Sequence, residues 1–322
     1  MLIKLIKILI GGLLIYIIVK NNVIDFSVFK KIDFLLTFKI ITLIILIAIL
    51  GSFKWYILLK VQNSNIKFRE AFEAYYFGYS LNYILFGLAG DVAKTILIIQ
   101  ERNNKIGIAM SVAIDRLLGF FSMIFIVILF LPYILLSINY SRNIGELFLA
   151  NIIPYNISIF FTLLIFLLFF NKFLNSRRLN IKLIKFLRKY KSKIVTLIIK
   201  ILKSLFTYRK SIFIININLF LAFVIQIIIT LCLFIISFYI SFENSGFINQ
   251  LISSVIVQIL SVIPISPGNI GVSEIAFSEI MFLLNNNIAL QYASIYLLFR
   301  FFNMLFSIPS VLLYFIAFKS KK

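Results

Sequence analysis

Apolar runs close to twenty residues long recur along the whole chain, near 5–19, 37–59, 107–136, 151–170, 212–240 and 289–317. Runs of this kind suit helices that cross a bilayer, since about 20 helical residues cover the roughly 30 Å of hydrocarbon. In lipid every backbone N–H and C=O needs an internal partner, so a single spanning segment has to be helical. Composition agrees. Of the 322 residues, 62% are apolar and the mean hydropathy is +1.08, against roughly half apolar in a soluble domain. No stretch is long and polar enough for a separate soluble domain. The chain reads as an all-α polytopic membrane protein, a single integral membrane domain over 1–322 with about six full spans.

Two further apolar regions, 71–99 and 249–284, are broken by glycine. The first contains SLNYILFGLAGDVAKTILII, centred on Phe86-Gly87-Leu88-Ala89-Gly90. The second contains SVIPISPGNIGVSEIAF, centred on Pro267-Gly268-Asn269-Ile270-Gly271. Both cores are G-x-x-G, and both are followed by polar or acidic residues: Asp91 and Lys94, then Ser273 and Glu274. Each following span carries an arginine, Arg116 in SVAIDRLLGFFSMI and Arg300 in SIYLLFRFFNMLFSI.

Charge orients the spans. The segment 171–210 holds nine lysines, four arginines and no acid, a charge of +13, so it faces the cytoplasm. The C-terminal Lys319, Lys321 and Lys322 also lie inside. A single crossing by 71–99, with an inside N-terminus, would put the +13 segment outside. That region therefore dips in and returns to the same face, and 249–284 dips from the opposite face. The loop 20–39 then lies outside despite four lysines, an exception to the rule. The result is two re-entrant elements in an inverted repeat. The halves, 37–136 and 212–317, are joined by a basic cytoplasmic amphipathic segment at 171–210.

Within that segment Lys182, Lys185, Lys189, Lys193, Lys200 and Lys203 share one helical face. Ile181, Ile184, Leu187, Ile194, Ile198, Leu202 and Leu205 share another. Such a helix lies in the interface with its lysines toward anionic headgroups. The net charge of +21 is accordingly assigned to membrane lipid rather than nucleic acid. The N-terminus has a basic start and an apolar run but no small-residue cleavage site, and reads as a retained first helix.

Several chemistries are excluded. Histidine is absent, which rules out a Ser-His-Asp triad and a His-based zinc site. Cys232 is the sole thiol, so the chain forms no internal disulfide. No G-x-x-x-x-G-K-[ST] occurs, so direct ATP coupling is not expected. No metal or other cofactor is called for.

The breaks themselves suggest a substrate site. Non-helical backbone at membrane depth survives only where protein buries it or a wet cavity meets it. The restarting helix offers unpaired N–H groups and a partial positive charge, which suit a phosphate or carboxylate. Interrupted segments at matching positions of inverted halves are the pattern of a transporter's binding site. An arginine in a span needs a cavity or a partner. Asp91, Asp115 and Glu274 are the candidate partners for Arg116 and Arg300, although Asp115 cannot pair with its neighbour Arg116 on the same helix. Glu274 and at least one of the arginines are expected to converge on one polar cavity.

These motifs, with the late YLLFR, resemble the flippase-like family: the transmembrane region of lysylphosphatidylglycerol synthases and its free-standing relatives. The resemblance runs from about Trp55 to the C-terminus, and P-G-x-x-G-x-x-E is its most specific part. It implies a bacterial or archaeal multi-pass protein of the cytoplasmic membrane that moves amphipathic lipids between leaflets. It also implies substrate-binding roles for Asn82, Gly87, Gly90, Asp91, Asp115 and Arg116, and for Pro267, Gly268, Gly271, Glu274 and Arg300. Phe86 stands where relatives often carry proline, and Asn269 where a further glycine is usual. The synthases carry a soluble aminoacyl-transferase domain after this region, and no such activity is expected of a sequence ending at Lys322.

Three function classes follow. The first is a non-enzymatic translocator of an anionic phospholipid or lipid-linked substrate. The second is a non-catalytic membrane partner of a glycosyl- or aminoacyl-transferase. The third is a membrane lipid-phosphate transferase with Asp91 or Glu274 as base.

Overall fold

A helix that is apolar on every side has no face to offer water. Phe34–Val61 (α1) is of this kind. Asp33 caps it, accepting from the Leu36 N–H at 2.7 Å. Ile40, Ile44, Ile47, Trp55, Leu58 and Leu59 turn inward, while Phe34, Phe38, Ile45, Ile49 and Phe53 stay exposed. Exposed apolar residues over the length of a helix fit a lipid surround.

The computed structural model describes residues 26–62, 65–84, 89–99, 104–139, 193–241, 246–263, 266–285 and 292–319. The expected spans 5–19 and 151–170, Gly87, and the 171–192 part of the basic segment lie outside the described residues. After α1 come α2 (Phe68–Ile84), α3 (Ala89–Ile99), α4 (Lys105–Leu129), α5 (Leu131–Asn139) and α6 (Lys193–Thr207). The remainder is α7 (Ile212–Ser241), α8 (Phe247–Leu260), α9 (Val272–Asn285) and α10 (Tyr292–Lys319). All ten described α-helices belong to an all-α membrane architecture without strands among the described residues. Four contain stretches long and apolar enough to span: Phe34–Val61, Lys105–Leu129, Ile212–Ile240 and Tyr292–Leu312.

One expected span divides. Residues 107–136 were expected as one helix, but α4 ends at Leu129 and α5 restarts at Leu131. Pro132 lacks the N–H that would continue the ladder to the Ile128 carbonyl, so the helix stops at Phe130.

The spans α1 and α7 run antiparallel. Near the start of α1, Lys31 donates to the Ile240 carbonyl and Lys39 to the Tyr239 hydroxyl at 3.2 Å. Near its end, Asn218 donates to the Lys54 carbonyl at 2.7 Å and Tyr208 to the Leu58 carbonyl at 3.1 Å. Hairpin α2–α3 therefore follows from one end of this pair and hairpin α8–α9 from the other. The two breaks enter the bundle from opposite ends.

Exchanging α1 with α7, α2 with α8, α3 with α9 and α4 with α10 maps the principal helix contacts onto one another. The packing of α2 on α10 becomes that of α8 on α4, and α1 on α4 becomes α7 on α10. Each hairpin thus leans on a long helix of the other half. Ile40, Ile44 and Ile47 of α1 meet Cys232 and Ile236 of α7, Phe277 and Met281 of α9 and Phe302 of α10 in the largest core.

Helix α6 docks at the C-terminal end of α1, where Gln62 donates to the Ser204 carbonyl at 2.9 Å and accepts from its hydroxyl at 3.1 Å. Lys200 and Lys203 point outward, in line with their expected face. The buried side runs through Ile199 and Ser204, whereas Ile198, expected on the apolar face, is exposed. The Gln62–Ser204 exchange sets this rotation, which periodicity alone does not show.

Candidate functional site

Two glycines let the first hairpin close. A Cβ on Gly90 would lie 1.8 Å from the Gly78 carbonyl oxygen, and one on Gly78 would lie 2.6 Å from the Gly90 oxygen. The α2 and α3 backbones are therefore in direct contact. Asn82 latches the tip, its side-chain oxygen accepting from the Gly90 N–H at 3.0 Å. Asp91 follows in the first turn of α3.

The second tip is a left-handed turn. Gly268, Asn269 and Gly271 have φ of 58°, 54° and 85°. Glycine adopts such angles freely, and asparagine is among the few other residues that do. Asparagine at 269 therefore suits the turn. Asn269 also ties the tip to α8 by donating to the Ser261 carbonyl at 2.7 Å. The backbone of Pro267 opens the turn. Glu274 then reaches back to accept from the Gly271 N–H at 2.7 Å, half of a capping box.

Valine at Gly271 is expected to lower stability by about 1–3 kcal/mol, the cost of forcing a β-branched residue to positive φ. Thermal unfolding in detergent reads this as a drop in Tm. An unchanged Tm would mean that the turn tolerates another backbone angle.

Two buried charge clusters flank the tips. In the first, Asp91 takes both Lys94, at 3.0 Å, and Arg116. Asp115 takes Lys54 at 3.1 Å and lies 3.8 Å from Lys94. The Lys94 ammonium also sits 5.0 Å from the ring centre of Trp55 and 5.1 Å from that of Tyr75. Trp55 donates to the Ser111 hydroxyl at 3.0 Å. Gly51 makes room for Tyr75, since a Cβ there would come within 2.1 Å of its hydroxyl oxygen.

In the second cluster, Arg300 Nη1 lies 3.2 Å from Glu274 Oε1. Glu274 is 1% exposed and Arg300 7%. These two atoms make an ion pair without hydrogen-bond alignment. The other Arg300 Nη donates to the Asn269 carbonyl at 3.5 Å, and Tyr296 presents its ring face at 6.0 Å. Arg300 therefore meets the second tip through its backbone as well as through Glu274.

A row of tyrosines on α2 runs between the clusters. Tyr75 and Tyr79 have ring centres 6.4 Å apart, and Tyr79 and Tyr83 5.0 Å. Tyr79 donates to Asn303 of α10. Tyr75 lies in the electrostatic field of Asp115 and Asp91, and Tyr83 in that of Arg300.

The two arginines thus find different acids, Asp91 for Arg116 and Glu274 for Arg300. Glu274 converges with Arg300, and Arg116 belongs to the other cluster. Lys54 was missed as a site residue, although a lone lysine inside an apolar span is itself a signal. Lys94 was seen only as a polar residue after the break. The i, i+4 tyrosine row was also legible in EAYYFGYSLNY. Among the described residues no three His, Cys, Asp or Glu side chains group to hold a metal ion.

No curated protein matches the chain, and no solved structure does. A family model does: the lysylphosphatidylglycerol synthase transmembrane region matches residues 4–317. That match takes in both hairpins, both charge clusters and the basic segment. By sequence as by the architecture it implies, the chain belongs to the family of the lysylphosphatidylglycerol synthase transmembrane region, a membrane protein of the flippase-like kind.

Proposed function

We propose that the protein moves an anionic phospholipid or lipid-linked substrate between the leaflets of a bacterial or archaeal cytoplasmic membrane. In this reading both termini and the basic segment face the cytoplasm, no cofactor takes part, and no covalent bond is made or broken. The observation that carries it is the buried Arg300–Glu274 pair beside the broken backbone at Asn269. A lone buried arginine is costly, so the acid holds it while the site is empty. The poorly aligned contact is one that a phosphate, with its several acceptors and its fit to a guanidinium, can replace. Hairpins entering from opposite ends support a site that each leaflet reaches in turn.

Reconstituted vesicles test this. With labelled phosphatidylglycerol in both leaflets and a membrane-impermeant quencher outside, the protein is expected to make the inner-leaflet pool accessible. Glu274→Gln is expected to change the rate. Equal accessibility in vesicles with and without protein would end the reading.

One observation favours a second reading, that of a membrane partner for a transferase. Helix α6 is fixed to α1 through Gln62 while presenting Lys200 and Lys203 outward, as a docking face would be. If so, neutralising these lysines abolishes function in cells and leaves vesicle assays unchanged.

A further inference from the structure

The Arg300–Glu274 pair is self-contained. Arg300 Nη1 lies 3.2 Å from Glu274 Oε1, and neither residue is ion-paired with another among the described residues. One positive and one negative charge thus balance each other at 7% and 1% exposure.

Few other groups share their surroundings. Of the helices packed on α9, α8 carries no titratable side chain. Helix α5 carries only Tyr133, which donates to Asn249 at 2.7 Å. Helix α10 faces Glu274 with Arg300 and Tyr296. Behind them stand Tyr83 of α2, in the field of Arg300, and Cys232 of α7, which acts on Tyr83. The tip residues 267–271 are not titratable, and Glu279 of α9 itself is exposed. Phenols and a thiol add no charge at neutral pH.

The Glu274 carboxyl group has two unlike oxygens. Oε2 accepts from the Gly271 N–H at 2.7 Å, within the same turn of chain. Oε1 faces Arg300 and has no hydrogen-bond partner. A ligand that takes Arg300 therefore leaves the carboxyl tethered in place with Oε1 bare.

Such a ligand upsets the balance. With a phosphate monoanion bound, the pair's one positive charge faces two negative ones. A buried charge without a partner is too costly to persist. The guanidinium keeps its proton throughout, and a phosphodiester stays ionised. A metal ion would need several protein ligands, and among the described residues no three His, Cys, Asp or Glu side chains group to hold one. A proton on Glu274 remains.

We propose that Glu274 is a proton-binding site coupled to the anion: each phosphate that displaces it from Arg300 enters together with one proton from water. The proton forms an O–H bond at Oε1, which then donates to the phosphate, and it returns to water when the lipid leaves. Lipid and proton cross without net charge, so a pH difference across the membrane drives the lipid toward the more alkaline side. This inference rests on the transport reading, in which phosphate replaces Glu274 on Arg300.

Calorimetry on purified full-length protein in neutral detergent tests it. Short-chain phosphatidylglycerol is titrated in at one pH in buffers of different ionisation enthalpy, which reports affinity and the number of protons exchanged. Wild type is expected to take up about one proton per lipid, and its affinity to fall by up to about tenfold for each unit of rising pH. The sign follows because alkali removes the proton that the complex needs. Glu274→Gln puts a permanently neutral group of the same shape on Arg300. It is expected to bind with no proton uptake and no pH slope, a change that a merely structural pair would not produce. Should that variant fail to fold, the wild-type proton count and pH slope decide alone. Binding without proton uptake, or uptake that persists in Glu274→Gln, overturns the inference and leaves the transport reading standing. No saturable binding overturns both.

Discussion

Arg300→Ala is expected to destabilise the protein by about 3–5 kcal/mol, the usual cost of removing one partner from a buried ion pair. Glu274 would remain 1% exposed with no ion-pair partner among the described residues. The same change is expected to abolish movement of anionic lipid. A double variant separates these effects. Glu274→Gln with Arg300→Leu removes both charges at once, so most of the stability should return while transport stays lost. Thermal unfolding in detergent, run beside the vesicle assay, reads both quantities. Wild-type stability and transport in Arg300→Ala would show that the pair matters to neither.

Gly90→Val is expected to have the larger structural effect. The added Cβ would lie 1.8 Å from the Gly78 carbonyl oxygen and 2.6 Å from Asn82 Oδ1. The nearer obstacle is backbone, so no rotamer change relieves it, and the α2–α3 hairpin must open. Opening it separates Asp91 and Lys94 from Asp115 and Lys54, which exposes charges that the bilayer does not tolerate. The yield of monodisperse protein on size exclusion should fall to near nothing. Gly119→Ala is the control, because the nearest atom to its Cβ is Lys54 Nζ at 3.9 Å. A wild-type yield from Gly90→Val would mean that the hairpin does not need this backbone contact.

Much of the site could be read from the chain before any coordinates. Glycine pairs inside apolar runs mark breaks, because lipid offers broken backbone no partners. Arg116 and Arg300 stand out for the same reason: charge in hydrocarbon has to be matched. The positive-inside rule applied to the +13 segment predicts a hairpin at each break. What could not be read is who meets whom. Spacing along a helix tells which residues share a face, not which neighbour packs against it. Lys54 illustrates this: its place in an apolar span says that it needs a partner, but only the packing says that the partner is Asp115 of α4. The rotation of α6 was likewise hidden, because a hydrogen-bond exchange with Gln62 decides it. The stop at Phe130 was legible in Pro132 and was passed over because the surrounding run stays apolar.

The crossed packing of the halves has a consequence for the order of assembly. Translation delivers α2 early and α10 last, yet Tyr76 bonds to the Phe306 carbonyl across 230 positions of chain. Tyr79 waits comparably long for Asn303, 224 positions on. Until α10 enters the membrane, the first hairpin lacks its most extensive partner from the other half, and among the described helices of its own half it leans on α1 and α4. Contacts so distant in sequence close slowly and leave an intermediate exposed to misassembly. In the growing chain, the ion pairs of the first cluster must therefore form while the hairpin that carries Asp91 and Lys94 has yet to meet α10.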